Sequence, residues 1–228
     1  GRRRRRGLTN RIMLGLTVLA TALALVPLVL IISYVVLQGI GALNLAFFTE
    51  TFKPVSINGV GAQGGVLHAI VGTLLIVGVA LALAVPIGTL AGIFLSEYPG
   101  TGASTVIRFC TDVLSAMPSI VVGVVAYIII IQRTKQFSGM AGSVALMVLM
   151  VPVITRTTEE ILRLVPGGVR EAAMALGVPK WRYTINAVMP IGLGGIMTGI
   201  LLAFARAAGE TAPLIVTVLG NNNLTFDI

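Results

Sequence analysis

Charge is scarce in this chain: Asp, Glu, Lys and Arg make up 11% of its 228 residues, against roughly 25% in an ordinary soluble domain. That is too little polar surface to cover a water-soluble globule of this size. Cysteine is scarcer still, and the single Cys110, without an intrachain partner, excludes a disulfide framework. There is one histidine, His68, and neither H-E-x-x-H nor G-x-S-x-G occurs; none of Lys53, Lys135 and Lys180 lies in a G-x-x-x-x-G-K-[ST] loop. An intramembrane hydrolase therefore lacks its constellation, and a nucleotide-splitting engine lacks its phosphate cradle. Catalytic residues, metal ligands and a cofactor site within the chain are all expected to be absent.

What fills the chain is apolar: 56% of residues are hydrophobic and the mean hydropathy is +1.00. Disorder is excluded by the same figures. The apolar residues come in long charge-free runs, not in the short alternating segments of a transmembrane barrel. The expected fold is all-α, a polytopic transmembrane bundle forming one domain over residues 1–228. A helix needs about 20 apolar residues to cross roughly 30 Å of hydrocarbon. Five runs qualify, at about 12–37 with Pro27 as a kink, 66–95 with Pro86 and Gly88, 105–131, 137–154 and 186–220. The third carries Arg108 and Asp112 near its start, an Arg-then-acid i+4 pair suited to an interface, and a break at Met117-Pro118. Residues 38–65, with Glu50, Lys53, Gly59, Gly61, Gly64 and Gly65, are expected to form a loop, and 96–104 a short turn.

The net charge of +8 is unevenly placed. Arg2–Arg6 and Arg11 form a basic tail over 1–11, read as a cytoplasmic flank in preference to a nucleic-acid arm. The run after it exceeds the core of about 7–15 residues in a secretory signal, so it is expected to be a retained first span. With the N-terminus inside, twelve Lys and Arg fall on inner segments and three (Lys53, Arg133, Lys135) on outer ones. The positive-inside rule thus predicts a cytoplasmic N-terminus and a cytoplasmic loop at 155–185.

Within that loop, Thr157-x-x-Glu160 has the form of a capping box, so a short helix is expected to start there and to end at Pro166-Gly167-Gly168. A second is expected over 169–176, with Glu171 in its first turn, Gly177 as a left-handed C-cap and Pro179 after it. Ala172, Ala173 and Ala175 leave its backbone nearly bare. Such a helix suits docking into a groove on another protein, or serves as a plain connector. Lys180-Trp181-Arg182-Tyr183 then opens the next helix with a cluster suited to lipid headgroups.

Glu171-Ala172-Ala173-x-x-x-Gly177, followed nine residues later by Ala187-Val188-Met189-Pro190, resembles the EAA signature of ABC importer permeases. Ala187 and Met189 stand where that family has Ile and Leu. Leu67-His68-Ala69-Ile70-Val71-Gly72-Thr73, Pro118-Ser119-Ile120-Val121-Val122-Gly123, Thr155-Arg156-Thr157-Thr158-Glu159-Glu160 and Gly209-Glu210-Thr211-Ala212-Pro213-Leu214 narrow the resemblance to the phosphate-specific importer permeases of the PstA type. It extends from Ile12 to Gly220. It implies the type I importer permease architecture, with a sixth span after Asn221–Asn223, and a plasma-membrane location. It makes residues 169–177 the coupling helix, so that Glu171, Ala172, Ala173 and Gly177 meet a cytoplasmic ATPase. The partners it implies are a homologous permease of the PstC type, two ATPase subunits carrying ATP and Mg, and an extracytoplasmic phosphate-binding protein.

A straight helix over 186–220 would be about 52 Å long, beyond the hydrocarbon thickness, so it is expected to break at Gly209–Pro213. Counted from Pro190, Arg206 lies about 24 Å along the axis, in the outer half of the bilayer. An intramembrane Arg costs about 2.5–3.5 kcal/mol and faces a cavity or a partner. Glu210 sits at i+4, so two readings stand. Either the pair only neutralises itself inside the bundle, or Arg206 presents its donor fork to phosphate oxygens while Glu210 tempers the grip. In the second, Thr211 opens a half-helix whose N-terminus points into the same cavity. Gly88-x-x-x-Gly92 and Gly195-x-x-x-Gly199 allow close helix approach, within the chain or to a partner. His68 is expected to pack. An ion-coupled secondary transporter, or a permease for sulfate or molybdate, are the competing functions.

Overall fold

A computed structural model describes residues 2–52 and 64–218. Lys53, Gly59, Gly61, Gly220 and the segment after it, where the sixth span is expected, lie outside the described residues. The chain divides into two compact units, 1–66 and 67–228.

In the first unit α1 (Arg2–Gly39) runs unbroken through Pro27. A 3-10 turn (Ile40–Ala42) follows, and then α2 (Leu45–Thr49), whose first turn is capped by the Asn44 side chain accepting from the Phe47 N–H at 2.8 Å.

The second unit begins with α3 (Leu67–Glu97) and α4 (Gly102–Ala116), the latter capped by Thr101. Pro118 starts α5 (Ser119–Ala126), which continues through a π turn (Tyr127–Ile131) into α6 (Gln132–Thr134). Then come α7 (Gly139–Arg163), α8 (Gly167–Ala175) and α9 (Lys180–Tyr183). A second π turn (Thr184–Val188) leads into α10 (Met189–Ala208), and α11 (Ala212–Thr217) follows a break. Among the described residues, four helical runs are long and apolar enough to cross a membrane. The helices either side of Met117-Pro118 make a fifth candidate bent by 104°. Proline has no N–H to donate and disfavours helix in the residue before it, so Pro118 ends α4 and opens α5.

The helix α7 is the axis of this unit. Its buried Leu146, Met150 and Ile154 meet Ala80 and Ala84 of α3, Val122 and Ala126 of α5, and Ala203 and Ala207 of α10 in one apolar core. Close approach comes from glycines. A Cβ on Gly88 would sit 2.8 Å from the Ile154 Cβ, and one on Gly92 would sit 2.5 Å from the Thr158 Cβ. A Cβ on Gly195 or Gly199 would meet Ile161 or Thr157 at 2.6 and 2.5 Å. Both small-residue motifs therefore face the same helix of this chain. The outward faces keep large apolar side chains such as Leu90, Phe109 and Leu201 exposed, as lipid contact requires.

Two expectations for the loop at 155–185 are corrected. Thr157 starts no helix: its hydroxyl donates to the Val153 carbonyl at 2.8 Å in the interior of α7, which runs on to Arg163. Arg156 and Glu159, the first charges after Ile154, are matched by Asp112 and Arg108 on α4, so the helix has no reason to stop there. Pro166 occupies the N-cap position of α8, so Glu171 stands in the second turn, past the unpaired N–H groups of the first.

Candidate functional site

The helix α8 is held by its ends. Gly177 adopts φ +70, and its N–H donates to the Met174 carbonyl at 2.9 Å while Val178 N–H donates to Ala173 at 3.1 Å. These two bonds make a complete Schellman turn, which only glycine enters without strain. Val169, Ala173 and Val178 rest on a small core of Leu162, Val165, Tyr183, Val188 and Ile196. Glu171, Ala172, Met174, Ala175 and Leu176 are exposed, and no α8 residue is fully buried. Leu176 keeps 82% of its surface exposed and Met174 55%, so α8 and its closing turn present an apolar edge beside an acidic side chain.

Two buried carboxylates organise the same end of the unit, and sequence reading did not find their partners. Glu159, 3% exposed, accepts from Arg108 at 2.6 Å on one oxygen and from Arg156 at 3.3 Å on the other, and Arg163 makes an ionic contact with the first oxygen at 2.7 Å. Asp112 pairs with Arg156. Arg108 and Asp112 are therefore not paired with each other along α4, as expected, but crossed to α7. Arg108 turns toward the buried Glu159 and Asp112 toward Arg156, because α7 packs against α4.

Glu97, at the last residue of α3 and 2% exposed, accepts from Arg170 Nε at 3.1 Å and Nη2 at 2.9 Å. Lys180 donates to the Glu97 carbonyl and lies 4.0 Å over the Tyr98 ring. Tyr183 is buried and so belongs to the core instead of a headgroup layer; Trp181 stays exposed. The signal in the sequence was only that an acidic residue ends a long apolar run.

At the opposite end of α10, the helix stops at Ala208 and α11 restarts at Ala212. Arg206 Nε lies 3.8 Å from Glu210 Oε1, an ionic contact too long for a hydrogen bond. The Arg206 side chain is 57% exposed and Glu210 19%. Arg206 shares its face with Thr198 and Leu202, also exposed. Thr211 stands at the N-cap position of α11 without a side-chain cap, and Pro213 of that helix is buried against Gly123 of α5. Arg206, Glu210 and Thr211 thus lie together at one break, far along α10 from α8.

The profile of the binding-protein-dependent transport system inner membrane component family matches residues 84–225. The chain is 42% identical to the phosphate transport system permease protein PstA of Pasteurella multocida, covering 98% of this chain and 78% of that protein. With PstA of Yersinia pestis it is 44% identical, over 96% and 73% of the two chains. The fold is similar to that of the MetNI methionine ABC transporter in inward-facing conformations, with a TM-score of 0.55 at 20% identity over 68% of this chain and 74% of that one. A second crystal form of that transporter gives a TM-score of 0.53 over 64% and 68%. The chain belongs to the binding-protein-dependent transport system inner membrane component family, as a multi-pass membrane permease of the PstA type.

Proposed function

We propose that this chain is the permease subunit of an ATP-driven phosphate importer and supplies half of the pathway, with Arg206 as its anion contact. The observation that carries this is an exposed guanidinium on an otherwise apolar helix. A charged side chain in the hydrocarbon zone does not face lipid, so the exposed Arg206 faces a space shared with another subunit. Among the described residues it donates no hydrogen bond within 3.5 Å, and its fork is free to meet two phosphate oxygens. Glu210 draws off part of the charge and keeps the site weak, which import requires, because a tight intramembrane site traps its cargo. The Thr211 hydroxyl, exposed beside Glu210, is a second polar contact.

The exposed edge of α8 docks on an ATPase subunit through Glu171, Ala172, Ala173 and the turn at Gly177. ATP and Mg bind there, and this chain performs no hydrolysis. A second permease of the PstC type, two ATPase subunits and an external phosphate-binding protein complete the assembly in the plasma membrane, with the N-terminus of this chain cytoplasmic. Replacing Arg206 with Gln in the assembled transporter is expected to abolish ATP-driven uptake of radiolabelled phosphate while the subunits still co-purify. Uptake at the unsubstituted rate would remove Arg206 from the pathway.

A further inference from the structure

We propose that Arg170 is the joint through which movement of α8 reaches the membrane helices, because its guanidinium ties α8 to the ends of both α3 and α7. The inference rests on the reading of α8 as the docking element and adds how that element is geared.

The helix α8 has nine residues and none of them is fully buried. A helix that short is marginal by itself and follows whatever anchors it. Arg170 is the only charged side chain on α8 that turns inward, with 20% of its side chain exposed. It makes four hydrogen bonds at once. Two go to Glu97 Oε1 at the end of α3, at 3.1 and 2.9 Å. The other two reach carbonyls around the end of α7, Leu162 at 2.8 Å and Val165 at 3.0 Å. The Leu162 carbonyl, in the last turn of α7, also accepts from the Val165 N–H of the closing turn at 3.3 Å, and a cation there complements the helix dipole.

Three elements therefore meet on one planar group. A guanidinium holds its donors in a fixed fork, so displacing α8 either drags all the acceptors or breaks bonds to a nearly dry carboxylate. What lies beyond the joint is stiff. Along α3 and α7 the glycine contacts at Gly88 and Gly92 leave no room to slide, and Gly195 and Gly199 lock α10 to α7 in the same way. Since α10 carries Arg206, a push on α8 travels through Arg170 to α7 and on to the anion contact. Lys180 adds a second tie from the start of α9 to Glu97. The Glu159 cluster joins α4 to α7 but touches no part of α8, so it is not in this train.

The test is the double substitution Glu97→Met with Arg170→Met in the complete transporter, reconstituted in vesicles with ATP inside and binding protein and phosphate outside. Replacing a buried ion pair by apolar side chains of similar size is commonly neutral for stability. The variant is therefore expected to assemble with its ATPase and to hydrolyse ATP. Phosphate taken up per ATP is expected to fall by roughly fivefold or more. Arg170→Lys, which keeps the charge and loses the fork, is expected to give an intermediate ratio. An unchanged ratio in the double variant or in Arg170→Lys would overturn the proposal. So would failure of the double variant to retain its ATPase, since the pair would then be holding the fold and not transmitting movement. Absence of ATP-driven phosphate uptake by the unsubstituted assembly would instead count against the function proposed above.

Discussion

Adding one methyl group to Gly92 tests the packing on which every longer-range statement depends. A Cβ there would lie 2.5 Å from Thr158 Cβ, 2.7 Å from the Thr155 carbonyl oxygen and 2.9 Å from Thr158 Cγ2. Two of these three atoms move only if α7 moves. Alanine gains about 1 kcal/mol over glycine in a helix interior, while overpacking a tight contact costs about 1–3 kcal/mol. Gly78, on the same helix, has nothing within 4 Å of a Cβ, so Gly78→Ala keeps the gain without the cost. The two variants should therefore differ by about 1–3 kcal/mol, Gly92→Ala being the less stable. For a chain of this size that separates their thermal unfolding midpoints in detergent by roughly 2–12 °C. Thr158→Ala should not rescue Gly92→Ala, because it leaves both Thr158 Cβ and the backbone oxygen in place. A Gly92→Ala midpoint at or above that of Gly78→Ala would mean that α3 and α7 do not touch at this turn.

Glu159→Gln removes the charge that three arginines share. It should destabilise by about 2–3 kcal/mol, below the usual cost of breaking a fully buried pair because the arginine side chains stay between 32% and 47% exposed to solvent. Asp112→Asn, at an exposed pair, should cost no more than about 1 kcal/mol, and equal denaturation midpoints for the two would contradict the hub at Glu159. Gly177→Ala forces a side chain into φ +70 and should cost about 1–2 kcal/mol, confined to the turn after α8. The measurable outcome is less ATPase subunit co-purifying with the permease while the unfolding of the bundle is unchanged; a coincident fall in the unfolding midpoint would show that the strain spreads into the bundle.

The sequence by itself determined the features that depend on local free energies. Long uncharged runs have one low-energy environment, so the helical membrane fold was legible from composition. The left-handed turn at Gly177, the break at Met117-Pro118 and the interruption after Ala208 were legible because backbone sterics act within a few residues. Glu171 was misplaced by one turn, since Pro166 opened α8 earlier than the pattern of caps suggested. Only the tertiary structure decided which side chains meet. Arg108 and Glu159 are 51 residues apart, and Arg170 and Glu97 are 73 apart. A carboxylate's choice among several arginines is made by which helix faces it, and both glycine motifs reach α7 by the same three-dimensional choice. Arg206 and Glu210 were visible as a pair from their spacing, but that the guanidinium stands open while the carboxylate is mostly covered follows from the way α10 and α11 pack on either side of their break.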